Sequence, residues 1–174
     1  MSQVSLISVE DVTRASHRLR GVAMKTPLQK SYRLSEMYGA DVYLKREDLQ
    51  AVRSYKIRGA YNKMSTLAQE QKDRGVVCAS AGNHAQGVAM ACALMQVKGM
   101  IFMPTVTPLQ KVNKVRSFGK EYVEVVLTGD TYDDAYAESM KAMRTQGLTY
   151  VHPFDDRATI AGQGTIGLEI LDAA

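Results

Sequence analysis

Four short apolar runs, separated by segments of helical length, constrain the fold of this chain more than any other feature. The runs GVVCAS, GMIFMP, YVEVVL and LTYVHPF begin at residues 75, 99, 122 and 148. Their length and composition suit buried strands. Because strands that alternate with helices form βαβ units, the sequence predicts an α/β fold with a parallel sheet that is covered by helices on both faces.

Capping residues and glycines divide the rest of the chain into further elements. Ser8 can cap a first helix that runs to about Arg20. Ser54 can cap a long helix that runs to about Gln69. The stretch TPLQKS, which begins at Thr26, is predicted as an extended link. The other predicted elements are a strand at 41–47 and helices at 33–38, 83–95, 108–118 and 131–145, with a last helix that opens near 162–165.

The charge of the chain argues against some classes of partner. Twenty-two basic residues exceed eighteen acidic ones and give a net charge of +4, but they form no long basic run with interleaved aromatic residues. We therefore expect no nucleic-acid partner, and small anionic ligands are the milder interpretation of the excess charge. The N-terminus lacks an apolar signal core, and no stretch has the length of a membrane span, so no membrane partner is expected.

The two cysteines suggest a reducing compartment. Cys78 and Cys92 lie in the apolar surroundings GVVCASAG and AMACALM, and their spacing matches no metal or redox motif. We expect both to be buried free thiols. Such cysteines, in a chain without an apparent targeting segment, predict a cytoplasmic protein.

The stretch CASAGNHAQGVAM predicts an anion-binding turn. A buried strand is expected to end at Ser80, and a helix is expected to begin after Ala81 and Gly82, whose small side chains leave the backbone exposed. Free backbone N–H groups and the helix dipole would attract a carboxylate or a phosphate there. The alternative is an ordinary tight turn in which Asn83 caps the helix. The spacing matches neither G-x-G-x-x-G nor a Walker loop, so a nucleotide is not indicated.

Lys56, in RSYKIRG at 53–59, is the candidate nucleophile. With Ser54 as the cap, Lys56 lies in the first helical turn, where the helix dipole disfavours a cation. Basic neighbours on both sides act in the same direction, and both effects favour the neutral amine that covalent catalysis requires. Tyr55 and Ile57 could flank an aromatic ligand. The alternative is a solvated lysine at a basic helix start, and the local sequence by itself favours that alternative.

Other polar residues give weaker signals. No histidine, cysteine or carboxylate stands at metal-binding spacing from His84, so a structural or orienting histidine is favoured and no metal site is predicted. Glu47 and Asp48 are expected to form ion pairs with their neighbours Lys45 and Arg46.

Taken together, four segments resemble the pyridoxal-phosphate enzymes of fold type II, which have the architecture of the tryptophan synthase β subunit. The segments are YLKREDLQAVRSYKIRGAYNKM, ASAGNHAQGVA, HPFDD and GQGTIGLEI. They are most similar to the biosynthetic threonine dehydratases, also called threonine ammonia-lyases. The resemblance runs from Thr26 to Leu171.

The resemblance implies a role for each matched residue. Lys56 would hold pyridoxal 5'-phosphate as a Schiff base, with Tyr55 beside the cofactor ring and Asn83 bonded to the ring hydroxyl. Ala81 stands where serine racemases carry a second acid–base serine, which weighs against racemisation. The residues that match the loop binding the substrate carboxylate, largely through backbone N–H groups, are Ser80, Gly82, Asn83 and His84.

The activity implied by the resemblance is a β-elimination. L-Threonine would be dehydrated and deaminated to 2-oxobutanoate and ammonia, the first step of isoleucine biosynthesis, with L-serine as a second candidate substrate. The resemblance also implies a homo-oligomer. Two alternatives stay open at this point: a catabolic serine/threonine dehydratase, and a truncated non-catalytic α/β module that folds alone or pairs with another chain.

The family layout divides the chain into three parts. Residues 1–50 would be the N-terminal portion of a large domain, 51–150 a small domain, and 151–174 the start of the remaining large domain. Family members continue to a glycine-rich, GGGGL-like phosphate loop and to a later serine or cysteine near the pyridine nitrogen, and neither occurs in these 174 residues. We therefore expect the chain to be the front part of a longer protein.

Overall fold

A four-stranded sheet organises the chain in the computed structural model, which describes residues 7–173. The first six residues and Ala174, which fall in the predicted domain segments 1–50 and 151–174, lie outside this range. The elements are α1 (Val9–Arg18), β1 (Leu28–Lys30), α2 (Tyr32–Tyr38), β2 (Tyr43–Lys45), α3 (Lys56–Ser65), α4 (Gln69–Arg74), β3 (Val76–Ala79), α5 (Asn83–Met95), β4 (Gly99–Met103), α6 (Leu109–Gly119), β5 (Val123–Leu127), α7 (Tyr132–Gln146), β6 (Thr149–Tyr150) and α8 (Arg157–Leu171).

The main sheet is parallel throughout, with the strand order β5-β4-β3-β6. In its register, Cys78 on the central strand β3 is opposite Ile101, which in turn is opposite Val125. All four residues of β3 are buried, as expected for a strand with helices on both faces. The predicted α/β fold with a parallel sheet is confirmed.

Two hydrophobic clusters cover the two faces of the sheet. Alternate residues of β3 point to opposite faces. On one face, Val76 and Cys78 belong to the cluster that includes residues of α5 and α6. On the other face, Val77 and Ala79 pack with residues of α7. The predicted buried free thiols are also confirmed, and burial raises the pKa of Cys92 to about 12.

Close helix contacts hold α3 between α5 and α8, and two glycines permit them. A methyl group at Gly87 of α5 would lie 3.0 Å from the carbonyl carbon and oxygen of Lys56. A methyl group at Gly162 of α8 would lie 2.5 Å from the carbonyl oxygen of Arg58 and 2.8 Å from the Cα of Gly59. Because a side chain at either position would collide with backbone, both glycines bring neighbouring helices together.

Two sequence-based predictions near α3 are wrong, and the extended segment predicted at 26–31 is confirmed and refined. The helix predicted to run to Gln69 ends at Ser65, because the following turn buries Leu67 before α4 begins. Ser54 is not the cap: Tyr55 is, without a side-chain cap bond, and the Ser54 hydroxyl accepts only a 3.4 Å hydrogen bond from the Lys56 backbone. The predicted extended link contains β1, which pairs with β2 in an antiparallel sheet.

Two boundaries near the end of the described range are also corrected. The predicted strand LTYVHPF is reduced to β6, since Pro153 has no N–H for a sheet hydrogen bond and the chain turns there. The last helix begins at Arg157 rather than near Gly162, and the Asp156 side chain caps it by accepting a 2.9 Å hydrogen bond from the Thr159 backbone. No helix in residues 7–173 is long and apolar enough to cross a membrane.

Candidate active site

The Lys56 amine occupies the first turn of α3, and it faces a backbone carbonyl rather than a carboxylate. Its Nζ donates a 2.7 Å hydrogen bond to the carbonyl oxygen of Pro153 and lies 5.3 Å from the ring centroid of Tyr55. The side chain is half-buried, and no ion pair within residues 7–173 includes it. The structure therefore brings Lys56 and Tyr55 together and pairs the amine with a neutral backbone carbonyl.

The turn at residues 80–84 presents unpaired donors at the start of α5. The Ser80 backbone N–H donates to the Phe102 carbonyl at 3.0 Å, and the Gly82 N–H donates to the Ser80 hydroxyl at 3.2 Å. In the described part of the chain, no acceptor pairs with the backbone N–H of Asn83 or His84. A helix start with free N–H groups attracts anions.

The same turn is open on its outer side. A methyl group at Gly82 would meet no atom within 4 Å, so space for a ligand adjoins the free N–H groups. Asn83 is exposed and is the first helical residue, and the helix has no side-chain cap. The alternative in which Asn83 caps the helix is therefore wrong.

His84 is fixed by a hydrogen bond inside the protein. Its ring is buried, and Nε2 lies 2.8 Å from the Val151 carbonyl, which can only accept, so the ring proton is assigned to Nε2. Burial lowers the pKa of His84 to about 4, and the nearby Lys56 acts in the same direction. Nδ1 is buried and has no partner among the described residues. His84 is thus neutral at pH 7 and oriented by the chain that follows β6.

Gly87 brings the backbone of Lys56 close to the helix that begins at the turn 80–84, and this role was not identified from the sequence. Because α5 approaches α3 backbone-to-backbone at this glycine, the first turns of the two helices lie side by side. The available signal was a glycine inside the helical pattern HAQGVAM, which a helix tolerates at a cost unless close packing requires it.

The charged neighbours of Lys56 do not pair as expected. Glu47 pairs with Arg58 at 2.8 Å, and Lys45 pairs with Glu169 at 2.5 Å. The predicted pairing of Glu47 with its sequence neighbours is therefore wrong, because buried long-range partners replace them. Only the pair of Arg46 with Asp48, also at 2.8 Å, is confirmed.

The geometry thus combines a half-buried lysine, an aromatic neighbour and an open helix start with free backbone N–H groups. No group of three or more histidine, cysteine, aspartate or glutamate side chains within residues 7–173 is placed to hold a metal ion. A comparison with protein families matches residues 19–174 to the family described as pyridoxal-phosphate dependent enzyme.

The chain belongs to the pyridoxal-phosphate-dependent enzyme family. Among curated relatives of this family, it is 55% identical over 166 residues to "L-threonine dehydratase biosynthetic IlvA" of Halalkalibacterium halodurans, covering 95% of this chain and 40% of that protein. It is 51% identical to the protein of the same name from Bacillus subtilis, covering 99% of this chain and 41% of the relative. The chain thus spans about two-fifths of the length of the curated relatives it matches.

Solved structures give the same pyridoxal-phosphate fold. The processed form of threonine deaminase isoform 2 from Solanum lycopersicum superposes with a TM-score of 0.85 at 42% identity and covers 96% of this chain and 49% of that one. Maize serine racemase superposes with a TM-score of 0.90 at 30% identity and covers 97% of this chain and 50% of that one. The fold is therefore that of the fold type II enzymes named by the resemblance.

The described residues fit the reactive end of this family's cofactor. Lys56 offers an amine for its aldehyde, and the exposed Asn83 offers an amide for a ring hydroxyl. The free N–H groups beside the open face of Gly82 suit the carboxylate of an amino acid held there.

Proposed function

We propose that this chain supplies the lysine and the carboxylate-binding turn of a pyridoxal-phosphate-dependent threonine dehydratase, which converts L-threonine to 2-oxobutanoate and ammonia at the start of isoleucine biosynthesis. The observation that carries the proposal is the placement of the Lys56 amine and the free N–H groups of Asn83 and His84 on two adjacent helix starts. The names of the curated relatives support the biosynthetic reaction.

The chain's own residues can perform the central proton transfer. When bound, pyridoxal phosphate supplies the electron sink that delocalises the charge left on the substrate Cα. The Lys56 amine takes the Cα proton, and the backbone N–H groups of Asn83 and His84 hold the carboxylate so that this proton points at the amine. The β-hydroxyl then leaves as water after it receives a proton, for which the protonated Lys56 amine is the donor that the chain itself supplies, and hydrolysis of the released enamine gives 2-oxobutanoate and ammonia.

The remaining matched residues define the walls of the proposed site. Tyr55 would pack beside the cofactor ring and Asn83 would bond to its hydroxyl. Ser80 and Gly82 would complete the carboxylate-binding turn, since the Ser80 hydroxyl already orients the Gly82 N–H. His84 stays neutral, which avoids a buried charge beside Lys56.

Titration of the 174-residue chain with pyridoxal phosphate tests the cofactor chemistry. We expect a visible absorbance band from covalent attachment to Lys56, and we expect Lys56→Ala to abolish it. Lys111→Ala is the matched control, because Lys111 is an exposed lysine on α6. If no band forms at high cofactor concentration, the chain alone is not a working enzyme, and the alternative of a non-catalytic α/β module gains support.

A catabolic serine/threonine dehydratase is the alternative reaction. Steady-state assays of the complete gene product with L-threonine and L-serine, each with and without isoleucine or AMP, separate the two. We expect a preference for threonine and inhibition by isoleucine. A preference for serine, or activation by AMP, would instead support the catabolic enzyme.

The proposed assembly, compartment and domain layout follow from the same assignment. We propose a cytoplasmic homo-oligomer in which residues 1–50 and 151–174 belong to the large domain and 51–150 form the small domain. Sedimentation of the complete gene product measures the assembly, and limited proteolysis near residues 50 and 150 tests the domain boundaries.

A further inference from the structure

Three successive backbone carbonyls after β6 each accept a hydrogen bond from a different helix. They belong to residues 151–153, which leave the sheet and turn towards α8. The donors, in chain order of the acceptors, are His84 Nε2 of α5 at 2.8 Å, Thr159 Oγ1 of α8 at 3.2 Å and Lys56 Nζ of α3 at 2.7 Å. The segment 151–153 therefore connects the anion-binding turn to the lysine.

The His152 side chain fixes the turn that follows. Its Nδ1 accepts hydrogen bonds from the backbone N–H groups of Phe154 at 3.3 Å and Asp155 at 2.7 Å. Because Nδ1 accepts both, the neutral ring carries its proton on Nε2. The rings of Phe154 and Tyr150 contact the imidazole edge-on and at a tilt, with centroids 4.7 and 6.1 Å away.

One peptide unit links His152 to Lys56. The Phe154 N–H donates to His152, and the Pro153 carbonyl accepts from Lys56. This N–H and this carbonyl belong to the same planar peptide group. This group is trans, so its N–H and its C=O point in opposite directions. When the imidazole holds the N–H edge, the carbonyl edge is turned towards the lysine amine.

We propose that His152 is a positioning residue for Lys56, which it places by holding the 153–154 peptide with its carbonyl against the amine. The proposal rests on the proposed function only for the catalytic part that Lys56 plays, since the hydrogen bonds themselves belong to the chain without any ligand. It deepens that function, because the same segment anchors His84 and thus fixes the amine relative to the carboxylate-binding turn.

Two substitutions test separately the hydrogen-bond acceptor of His152 and its aromatic ring. His152→Phe keeps an aromatic ring between Tyr150 and Phe154 but removes the acceptor. His152→Asn removes the ring but restores an acceptor, because an asparagine oxygen bonds to backbone N–H groups two and three residues ahead. A role in packing alone would be preserved by phenylalanine, whereas a role in positioning would be preserved by asparagine.

The readout is the reactivity of the Lys56 amine, measured without cofactor or substrate. The chain is treated with formaldehyde and a borohydride reductant, and the methylation rate of Lys56 is followed by mass spectrometry relative to the exposed Lys120 in the same molecule. We expect His152→Phe to raise the relative rate about fivefold to tenfold, because the ammonium loses a charge-assisted hydrogen bond. We expect His152→Asn to stay within about twofold of the parent chain. Equal rates in the two variants would overturn the proposal.

A measurement on the unsubstituted chain covers the case in which His152→Phe does not fold. Long-range proton–nitrogen NMR at mildly alkaline pH reports which ring nitrogen carries the proton. We expect an unprotonated Nδ1 in His152 and slow hydrogen exchange at the Asp155 amide, and a protonated Nδ1 would overturn the proposal. Both experiments omit pyridoxal phosphate, so a failed cofactor titration would count against the proposed function and leave this result unaffected.

Discussion

Lys56 and Arg58 are two cations on the same helix, two positions apart, in opposite circumstances. Arg58 is 1% exposed, and its five guanidinium N–H groups lie within hydrogen-bonding distance of acceptors in six contacts, four of them to the carboxylates of Glu47 and Glu169. Lys56 is half-buried, and its amine donates one hydrogen bond, to the Pro153 carbonyl. Residues two apart on a helix face different directions, so α3 presents two chemically distinct sides.

The two sides of α3 are therefore expected to serve different purposes, with the Arg58 side stabilising the fold and the Lys56 side binding a ligand. On the Arg58 side, two cations and two carboxylates neutralise one another, since Lys45 also bonds to Glu169. A buried network of this kind is strongly destabilised when one member is removed. On the Lys56 side, the amine donates to a single backbone carbonyl, and the N–H groups of Asn83 and His84 have no acceptor among the described residues. A change there should therefore affect ligands more than folding.

The largest expected effect is the loss of the Arg58 guanidinium. Arg58→Met leaves the buried Glu47 carboxylate without its cation and leaves the half-buried Glu169 with Lys45 alone, and we expect the free energy of unfolding to fall by about 3–5 kcal/mol in urea denaturation. The matched variant Lys56→Met should cost less than about 1 kcal/mol, because it removes a single bond at a half-buried site. Similar losses in the two variants would show that the sides of α3 do not differ in this way.

The close packing of α8 against the Arg58 side of α3 can be tested by adding a single methyl group to α8. In Gly162→Ala the added methyl would meet the Arg58 carbonyl and the Gly59 Cα, so we expect a net loss of about 2 kcal/mol in the free energy of unfolding. Gly167→Ala, on the same helix with no atom within 4 Å of the new methyl, should gain up to about 1 kcal/mol from helix propensity. If both variants are stabilised, the helices are not in the tight contact described.

The two sides should also respond to acid in different pH windows. On the site side, burial lowers the pKa of His84 from 6.5 to about 4, so the unfolded chain binds the extra proton first and stability falls as the pH drops from 6.5 towards 4. On the other side, burial tends to raise the pKa of Glu47, but hydrogen bonds from Arg58 and Thr26 outweigh it and hold the pKa below 4.5. The Glu47 contribution is therefore present above pH 4.5 and is lost as the pH falls through the folded pKa.

His84→Gln separates these two windows. Between pH 7 and pH 4.5, the free energy of unfolding of the parent chain, measured by urea denaturation, should fall by on the order of 2 kcal/mol. The free energy of unfolding of the variant should fall much less over the same range. Below pH 4.5 both chains should lose stability alike, because Glu47 is unchanged. If the free energy of unfolding of the variant changes with pH above 4.5 as steeply as that of the parent chain, His84 is not the cause of this pH dependence.

The smallest expected effect concerns the aromatic neighbour of the lysine. Tyr55→Phe keeps the ring near Lys56 Nζ and removes only the hydroxyl of an exposed residue. We therefore expect the free energy of unfolding, measured by urea denaturation, to change by less than about 0.5 kcal/mol. The methylation rate of Lys56 should also stay unchanged. Tyr55→Ala, which removes the ring, is the contrasting variant, and an equal rate in Tyr55→Ala would show that the ring does not influence the amine.

Local sequence signals were sufficient for much of the fold. The helix predicted at 83–95 matches α5, and Ser8 caps α1 as predicted, with Asp11 completing a capping box in the structure. The four apolar runs each contain a strand of the parallel sheet. These elements depend on strand burial and on caps within a few residues, which a sequence displays directly. The prediction that α3 continues past Ser65 is wrong, because the burial of Leu67, which is a tertiary contact, ends the helix without a glycine or a proline.

The charge partners near the site could not be read in the same way. The sequence placed Glu47 next to Lys45 and Arg46, and adjacency was the only available criterion. In the folded chain Glu47 bonds to Arg58, and Glu169 joins them from a position 111 residues away from Arg58. A buried carboxylate requires several well-placed donors, and only the closure of α8 on α3 brings these together.

By itself the sequence determined the parallel α/β fold, the helix start that follows the small-residue turn at 80–82 and the presence of Lys56 at the beginning of a helix. Each depends on periodicity, on small residues at a turn or on a family motif, all of which are local in the chain. Only the tertiary structure decided that Arg58 is neutralised on one side of α3 while Lys56 meets the Pro153 carbonyl on the other. The reason is that Gly87 and Gly162 let α3 fit between α5 and α8. The groups that bond to Lys56 and Arg58 in this position come from segments that are distant in the sequence.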